Sequence, residues 1–391
     1  MKKWIFFIMC FCVPTLAGCW DRIEMQELAI VTSAAIDRLE DGNTRISVQI
    51  FIPRTISSGQ GGEDPSLGST FVREGTGDNL ANAISILQTN VPRRLFWGQC
   101  KIYIFGKQLA LDGIRNEIDY LFRHPSPRES SFLYVSEGEA KEMLTLVPPL
   151  ERYSAEALKK LTQDEYGTKT TLRDVDMGLM GDSESVSMPY IKKLISKEKA
   201  RKTYETIPVI DGTAVFKKDK MVGTLSMKEA RGLLWLKDIV KRSTISIQPE
   251  GTDGEITMTP TLGKIKYSPE IKENHWIMNL NIAIEGDIVQ NETHLNLMNE
   301  DVLMEMKKEY EKALKEIIAL TVKNLQQEFK ADVIDFGRRF HQKYPKEWRK
   351  VKDRWDEKFP EVQVQINVNA NIRRPGYIGP PAALPKDEVI E

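Results

Sequence analysis

The order of apolar and polar residues predicts several short strands joined by tight turns. Two strands flank an Asp-Gly-Asn turn, in LAIVTSAAIDR and TRISVQIFI, and such a turn joins antiparallel strands. A second hairpin is predicted around residues 217–220, in GTAVFKKDKMVGTLS. Further strands are predicted in CKIYIFG, in SSFLYVS, at about 241–249, 254–267 and 275–289, and in VQVQINVNANIRR.

Apolar residues three or four positions apart predict helices between these strands. This period occurs in DNLANAISILQTN, in LALDGIRNEIDYLFRH, and around residues 151–164 and 171–180. In a capping box, a serine and a glutamate three residues later bind each other's backbone N–H; the pairs Ser136/Glu139 and Ser226/Glu229 have this spacing. A long helix is predicted at about 299–329. A position across a sheet is favoured for it over a coiled-coil seam.

Helices and strands are intermixed without regular βαβ spacing, which predicts an α+β fold of several domains. Mostly antiparallel sheets pack against helices, with one long helix in the C-terminal half. The charged stretch between residues 195 and 206 lacks an apolar period, and the domain boundary is placed there. The predicted parts are a signal peptide at 1–18, an α+β domain at 19–198 whose further division near 125–150 is left open, an α+β domain at 205–374, and a flexible tail at 375–391.

The N-terminus has the pattern of a secretory signal, with MKK followed by the apolar run WIFFIMCFCVPTL. That run is shorter than the roughly 20 apolar residues of a membrane-spanning helix. Leu16, Ala17, Gly18 and Cys19 resemble the lipobox of bacterial lipoproteins. We therefore predict that Cys19 carries S-diacylglycerol and N-palmitoyl groups, since two or more acyl chains hold a protein firmly on a membrane. The alternatives are a simple secretory signal with an incidental cysteine and an uncleaved membrane anchor.

Charge and cysteine content narrow the function classes. Removal of the signal leaves 53 basic and 56 acidic side chains, so no cationic excess indicates binding to nucleic acid. Cys10 and Cys12 leave with the signal and Cys19 is consumed by lipid, which leaves only Cys100. One cysteine forms no disulfide framework, and its apolar strand pattern predicts a buried, inert thiol.

The sequence contains no complete catalytic or metal-binding motif. The four histidines have no metal-ligand spacing, and no C-x-x-C, H-E-x-x-H, G-x-S-x-G or phosphate-loop motif occurs. No metal or cofactor is therefore predicted. The triplet DFG at 335–337 lacks the other kinase motifs. Asp335 is predicted as a helix N-cap and Gly337 as a position of close packing. The sequence therefore predicts a protein that is not an enzyme.

The most distinctive segment is DFGRRFHQKYPKEWRKVKDRWDEKFP, residues 335–360. By their spacing, one helical face contains Trp348, Val351, Trp355 and Phe359. Packing of this face in the core is favoured. One alternative is a partner surface that includes Trp348, Trp355 and Arg349, and another is an anionic lipid surface, which the mixed charges disfavour.

Two separated stretches, GCWDRIEMQELAIVTSAAIDR at 18–38 and DVIDFGRRFHQKYPKEWRKVKDRWDEKFPEVQVQINVNANIRR at 332–374, resemble the Ger(x)C family. These proteins are the C subunits of nutrient germinant receptors in endospore-forming Bacillus-like bacteria. The hairpin VIDGTAVFKKDKMVGTLS at 209–226 agrees, and Met25 replaces the leucine that is frequent in the family.

The resemblance implies a lipoprotein, anchored through Cys19 to the outer face of the inner spore membrane. It implies action with two integral membrane subunits, A and B, and neither a catalytic site nor a cofactor. The germinant, and whether this subunit binds it directly, are left open. The alternative is a substrate-binding lipoprotein of a transporter, which normally has two α/β lobes with parallel sheets. A lipid-anchored wall hydrolase would need catalytic residues that the sequence does not indicate.

Overall fold

The computed structural model describes residues 24–52, 70–146, 148, 150–195, 206–239 and 244–373. The predicted signal peptide, Cys19 and the tail at 375–391 lie outside these residues. The described residues form two sheets, the first with nine strands: β1 Leu28–Arg38, β2 Thr44–Phe51, β3 Thr70–Gly77, β4 Arg94–Phe96, β5 Ile102–Phe105, β6 Phe132–Ser136, β7 Ser185–Ile195, β8 Thr206–Lys217 and β9 Lys220–Leu225. Their order is β3-β2-β1-β5-β6-β7-β8-β9, and β4 pairs with β1.

The centre of this sheet is parallel. β1 pairs in parallel with β4 and β5, β5 with β6, and β6 with β7, whereas the outer strands pair antiparallel. All four residues of β5 are buried, as expected for a strand covered on both faces. The predicted hairpins β1–β2 and β8–β9 are confirmed. In the first turn Gly42 has a φ of 84°, and the Asn43 N–H donates to Asp41 Oδ1.

Helices cover both faces of the first sheet. Buried residues of four helices form one cluster with the sheet: α1 Leu80–Thr89, α2 Lys107–Asp112, α3 Arg115–Arg123 and α6 Leu172–Leu179. A second cluster on the other face includes residues of α4 Ala140–Leu144 and α5 Ser154–Gln163. A short 3₁₀ helix, Met25–Glu27, precedes β1, and another, Trp97–Gln99, separates β4 from β5.

The two predicted capping boxes have different outcomes. Ser226 and Glu229 form one at the start of α7, Met227–Leu236. The box at Ser136 and Glu139 is wrong, because the side chain of Asp37 accepts from the backbone N–H groups of Ala140 and Lys141, at 2.6 and 3.1 Å. A carboxylate at the end of β1 therefore caps α4 across the sheet.

The second sheet has the order β10-β11-β12-β13 and packs against the remaining helices. Its strands are β10 Ile245–Ile247, β11 Ile256–Lys272, β12 His275–Asn291 and β13 Gln363–Ile372. The first three are antiparallel, and β13 joins β12 in parallel. The helices after β12 are α8 Glu300–Lys323, α9 Phe336–Lys343, α10 Pro345–Val351 and α11 Trp355–Lys358. Short 3₁₀ turns at Lys352–Arg354 and Phe359–Glu361 follow α10 and α11.

The long predicted helix is α8, which continues as a π-helical turn at Asn324–Phe329 and ends at the left-handed residue Lys330. It packs across the second sheet, and the Tyr310 hydroxyl donates to the Ile256 carbonyl at 2.8 Å. The predicted α+β class, with sheets packed against helices and one long helix, is confirmed. Antiparallel pairings outnumber parallel ones among the described strands, by six to five.

The predicted boundary between residues 195 and 206 falls inside the first sheet. β7 ends at Ile195, β8 begins at Thr206, and the two strands pair along their length. Val215 and Leu225 of this sheet also belong to the core cluster of the second sheet. The two halves of the chain thus share a sheet and a core, and the division into domains at 195–206 stays a prediction.

Candidate functional site

The predicted site residues differ in whether they are described by the structure, buried or exposed. Cys19 lies outside the described residues. Trp348 and Trp355 are 1% and 4% exposed, which is the core position that the sequence favoured, and the partner-surface alternative stays a prediction. Arg349 is exposed on α10. The segment is divided into short helices rather than one continuous helix, yet both indoles still point inward.

Trp355 is the centre of an aromatic cluster. Its ring centroid lies 4.9 Å from that of Trp348, 5.9 Å from that of Trp276 and 6.0 Å from that of Phe340. Phe359 is 6.1 Å away and completes the contacts around this indole. The cluster joins β12 to residues 335–360, here called the signature segment, so this segment is part of the core of the second half.

A buried carboxylate, Asp332, holds the cluster in place. Its Oδ1 accepts from the Phe336 N–H at 3.0 Å, and its Oδ2 accepts from the Gly337 N–H at 2.7 Å and from Trp355 Nε1 at 3.0 Å. Sequence reasoning missed Asp332, because one of its three donors lies 23 residues further along the chain. The only local signal is an aspartate four residues before the first residue of α9.

Asp332 also takes the role that the sequence assigned to Asp335. Asp335 precedes α9 with a left-handed backbone and no capping bond from its side chain, which pairs with Arg338 at 3.2 Å instead. The prediction for Gly337 is confirmed. A Cβ at this position would lie 2.9 Å from Trp348 and from Trp355 Nε1, and only glycine allows α9 to approach both indoles.

The ionisation of Asp332 makes the stability of the fold depend on pH, and the sign of this dependence follows from its pKa. Burial raises the pKa of Asp332 to about 6, although three N–H donors oppose this. The folded chain therefore binds more protons than the unfolded chain between about pH 4 and 6. The stabilisation that protonated Asp332 provides is present in full below about pH 4. As the pH rises through 6 this stabilisation is lost, and the free energy of unfolding falls by up to about 3 kcal/mol.

We expect Asp332→Asn to show a smaller loss of stability than the wild type between pH 4 and 7. Urea unfolding of the two proteins at a series of pH values measures this difference. Asp37 and Glu117, whose pKa values burial also raises, are present in both proteins and cancel in the comparison. Parallel pH profiles would contradict the assignment to Asp332.

A cleft of about 600 Å³ lies between the two halves of the chain. Thr170, Ser185 and α6 form its first wall, and α7, β11 and the signature segment form the second. The Arg339 guanidinium lies 3.7 Å from the centroid of the Tyr267 ring and donates to the carbonyl oxygens of Ile334 and Asp335.

A side-chain hydrogen bond connects the two halves next to this cleft. His341 Nδ1 lies 2.8 Å from Asp182 Oδ2, and its ring stacks on Trp348 at 5.6 Å. The signature segment therefore contacts the first half through His341 and the second sheet through its indoles.

Lys237, also missed by the sequence, lines the cleft at the end of α7. Its Nζ forms no ion pair with another residue of the described chain, and burial lowers the pKa of this ammonium. Cys100, on the first sheet, is fully buried, and burial raises the pKa of its thiol to about 12. It is therefore protonated at neutral pH, as expected for an inert thiol.

In the ranges that the structure describes, no cluster of three or more histidine, cysteine, aspartate or glutamate side chains has the arrangement of a metal site. No helix in the same ranges is long and apolar enough to span a bilayer.

The sequence matches two family models. "Spore germination protein N-terminal domain" matches residues 21–193, and "Spore germination B3/ GerAC like, C-terminal" matches residues 211–376. The signature segment and the aromatic cluster both lie in the second range. The two models together account for most of the chain.

Relatives named as spore germination proteins align over nearly their full length. Spore germination protein KC of Bacillus subtilis (strain 168) is 28% identical over 94% of this chain and 95% of the relative. Spore germination protein B3 of the same organism is 22% identical over 96% of this chain and 98% of the relative. The crystal structure of the GerBC protein superposes with a TM-score of 0.58 and 19% identity, over 88% of this chain and 97% of that one, which shows a shared fold. This chain belongs to the GerAC-like family of spore germination proteins, the family of germinant receptor C subunits.

Proposed function

We propose that this protein is the lipid-anchored C subunit of a nutrient germinant receptor, which acts with integral membrane A and B subunits to trigger spore germination. The match of both family models, over most of the chain, carries this proposal. The names of the relatives, all spore germination proteins, support it. The chain has no catalytic role in this proposal, and its contribution is to assembly and signalling.

The anchor is proposed at Cys19, on the outer face of the inner spore membrane. The lipobox Leu16–Cys19 supports it, and diacylglycerol with an added acyl chain is enough for stable attachment. The described part begins at Glu24, five residues after this cysteine. The folded body is thus held close to the membrane in which the A and B subunits lie.

Replacing Cys19 by alanine is expected to abolish lipid labelling and release the protein from the membrane with its fold intact. Incorporation of labelled palmitate and flotation of membranes after a high-salt wash measure the two effects. Ser33→Ala, a buried change within the fold, serves as a control that keeps the lipobox. A Cys19→Ala protein that still floats after the wash would contradict the role of the lipid in attachment.

Co-purification tests the wider proposal. Polytopic A and B subunits should accompany the tagged chain from detergent-solubilised spore membranes. A transporter-associated binding protein would instead bind one small solute tightly on its own. Recovery of the chain alone, together with such binding, would favour the transporter alternative.

A further inference from the structure

Five cationic side chains lie at the end of the first sheet where the chain enters the fold. Arg94 of β4 pairs with Leu28, the first residue of β1, and Arg93 precedes it. Lys101, which precedes β5, donates its backbone N–H to the Thr32 carbonyl of β1. Lys101 also lines a hollow of about 280 Å³ with Arg152 and Lys159, which lie at the start of α5 and within it. We call this set of five residues the basic end.

The charge of the basic end is not neutralised within the fold. None of its five side chains forms an ion pair with another residue in the described part of the chain. Nearby acidic residues are Glu24, Glu27 and Glu156, together with Glu151, which pairs with Lys160, so positive charge remains in excess. Four of the five cations are exposed and Lys159 is half-buried.

Apolar side chains are exposed at the same end. Met25, in the 3₁₀ helix before β1, is 77% exposed, and Phe96 at the end of β4 is 38% exposed. Exposed methionine and phenylalanine between arginines and lysines are typical of surfaces that lie against anionic lipid. The Lys and Arg side chains attract the headgroups, and the apolar side chains enter the boundary between headgroups and acyl chains.

The proposed anchor fixes which part of the body can reach the membrane. Glu24 lies five positions after Cys19, and a fully extended chain over five steps spans at most about 18 Å. A folded body of this size is roughly 50 Å across. The start of β1 is therefore held near the lipid surface, whereas the β1–β2 turn lies about 33 Å further along the strand.

We infer that the basic end is a membrane-facing surface, which lies on anionic phospholipid headgroups and orients the first sheet with its β1–β2 turn away from the bilayer. This inference rests on the proposed anchor at Cys19, because the tether length selects the end of the molecule. The charge and the exposed apolar residues then specify the chemistry of the partner. The anchor holds the protein at the membrane, and the basic end sets its orientation there.

The test uses the lipidated full-length chain in vesicles of phosphatidylglycerol and phosphatidylcholine. Phe96→Cys and Glu40→Cys each receive a fluorescent thiol dye, and the buried thiol of Cys100 stays unlabelled in the folded protein. Glu40 is exposed and lies at the other end of β1, which makes it a matched control position. A lipid that carries a nitroxide on its headgroup should quench the dye at position 96 severalfold more strongly than the dye at position 40.

Charge reversal tests the electrostatic part. Arg93→Glu, Arg94→Glu and Lys101→Glu together should reduce the quenching at position 96 to the level at position 40, and high salt should have the same effect. Lys107→Glu, Lys308→Glu and Lys315→Glu make the same change in net charge at exposed positions outside the basic end. This control should leave the quenching at position 96 unchanged.

The outcomes separate this inference from the proposed function. Protein that fails to float with vesicles after a high-salt wash would refute the anchor itself. Protein that floats but shows equal quenching at positions 96 and 40 would refute only the orientation. A third outcome is a dye at position 96 that lipid does not quench and that is shielded from solvent only when the A and B subunits are present. This result would assign the basic end to a protein partner and overturn the lipid inference.

Discussion

Replacing Trp355 by alanine is expected to lower the free energy of unfolding by about 3–5 kcal/mol. The indole is almost fully buried and packs against Trp276, Phe340 and Trp348. Its removal leaves a cavity among rings that α9 and α10 hold in fixed positions, so the site has little freedom to collapse. The loss includes the hydrogen bond from Trp355 Nε1 to Asp332.

Urea unfolding of the full-length chain in detergent, followed by far-ultraviolet circular dichroism, measures this effect without relying on the deleted fluorophore. Trp355→Phe keeps a ring and loses the Nε1 donor, and we expect it to be intermediate. Arg349→Ala is the matched surface control and should change the stability by less than about 0.5 kcal/mol. An unchanged unfolding midpoint for Trp355→Ala, with loss of association with the A and B subunits, would assign this residue to an interface instead.

Replacing Asp332 by alanine is expected to cost a similar amount, about 3–5 kcal/mol at neutral pH. Three N–H donors, those of Phe336, Gly337 and Trp355, would lose their acceptor in a site that water does not reach. Each unsatisfied buried donor costs about 1–3 kcal/mol. Since the backbone donors belong to the first turn of α9, this turn should unfold more readily than the rest of the protein.

Hydrogen exchange of the amides in residues 336–343 provides the local measurement, alongside urea unfolding for the global one. Asp335→Ala is the control, since this neighbouring side chain makes only a surface pair with Arg338. It should leave both readouts nearly unchanged. If Asp335→Ala weakens the helix as much as Asp332→Ala does, the capping role belongs to Asp335 as the sequence suggested.

The local features of the fold were predictable because neighbouring residues specify them. The turn at Asp41–Asn43 and the capping box of Ser226 and Glu229 depend on contacts within four residues. The apolar period of α8 predicted its length and its packing against a sheet. The close packing of Gly337 was also predicted, although the two indoles that it approaches were not.

Features that depend on distant partners were missed or assigned wrongly. Asp37 caps α4 from a strand about 100 residues earlier, so the local box at Ser136 and Glu139 does not form. The parallel centre of the first sheet joins strands that are far apart in the chain, and the pattern of tight turns gave no sign of it. The basic end also depends on distant partners, because Arg94, Lys101 and Arg152 come together only through strand pairing and helix packing.

The sequence by itself predicted the family, most of the secondary-structure elements and the proposed site of lipid attachment, because motifs and periodicity are properties of contiguous residues. It did not predict the strands β3, β4 and β7. The tertiary structure alone decided that both indoles are buried, that Asp332 organises them, and that the two halves of the chain share a sheet. It also decided which charges lie beside the start of β1. Burial and electrostatic environment depend on contacts between segments that are distant in the chain, and only the folded chain forms these contacts.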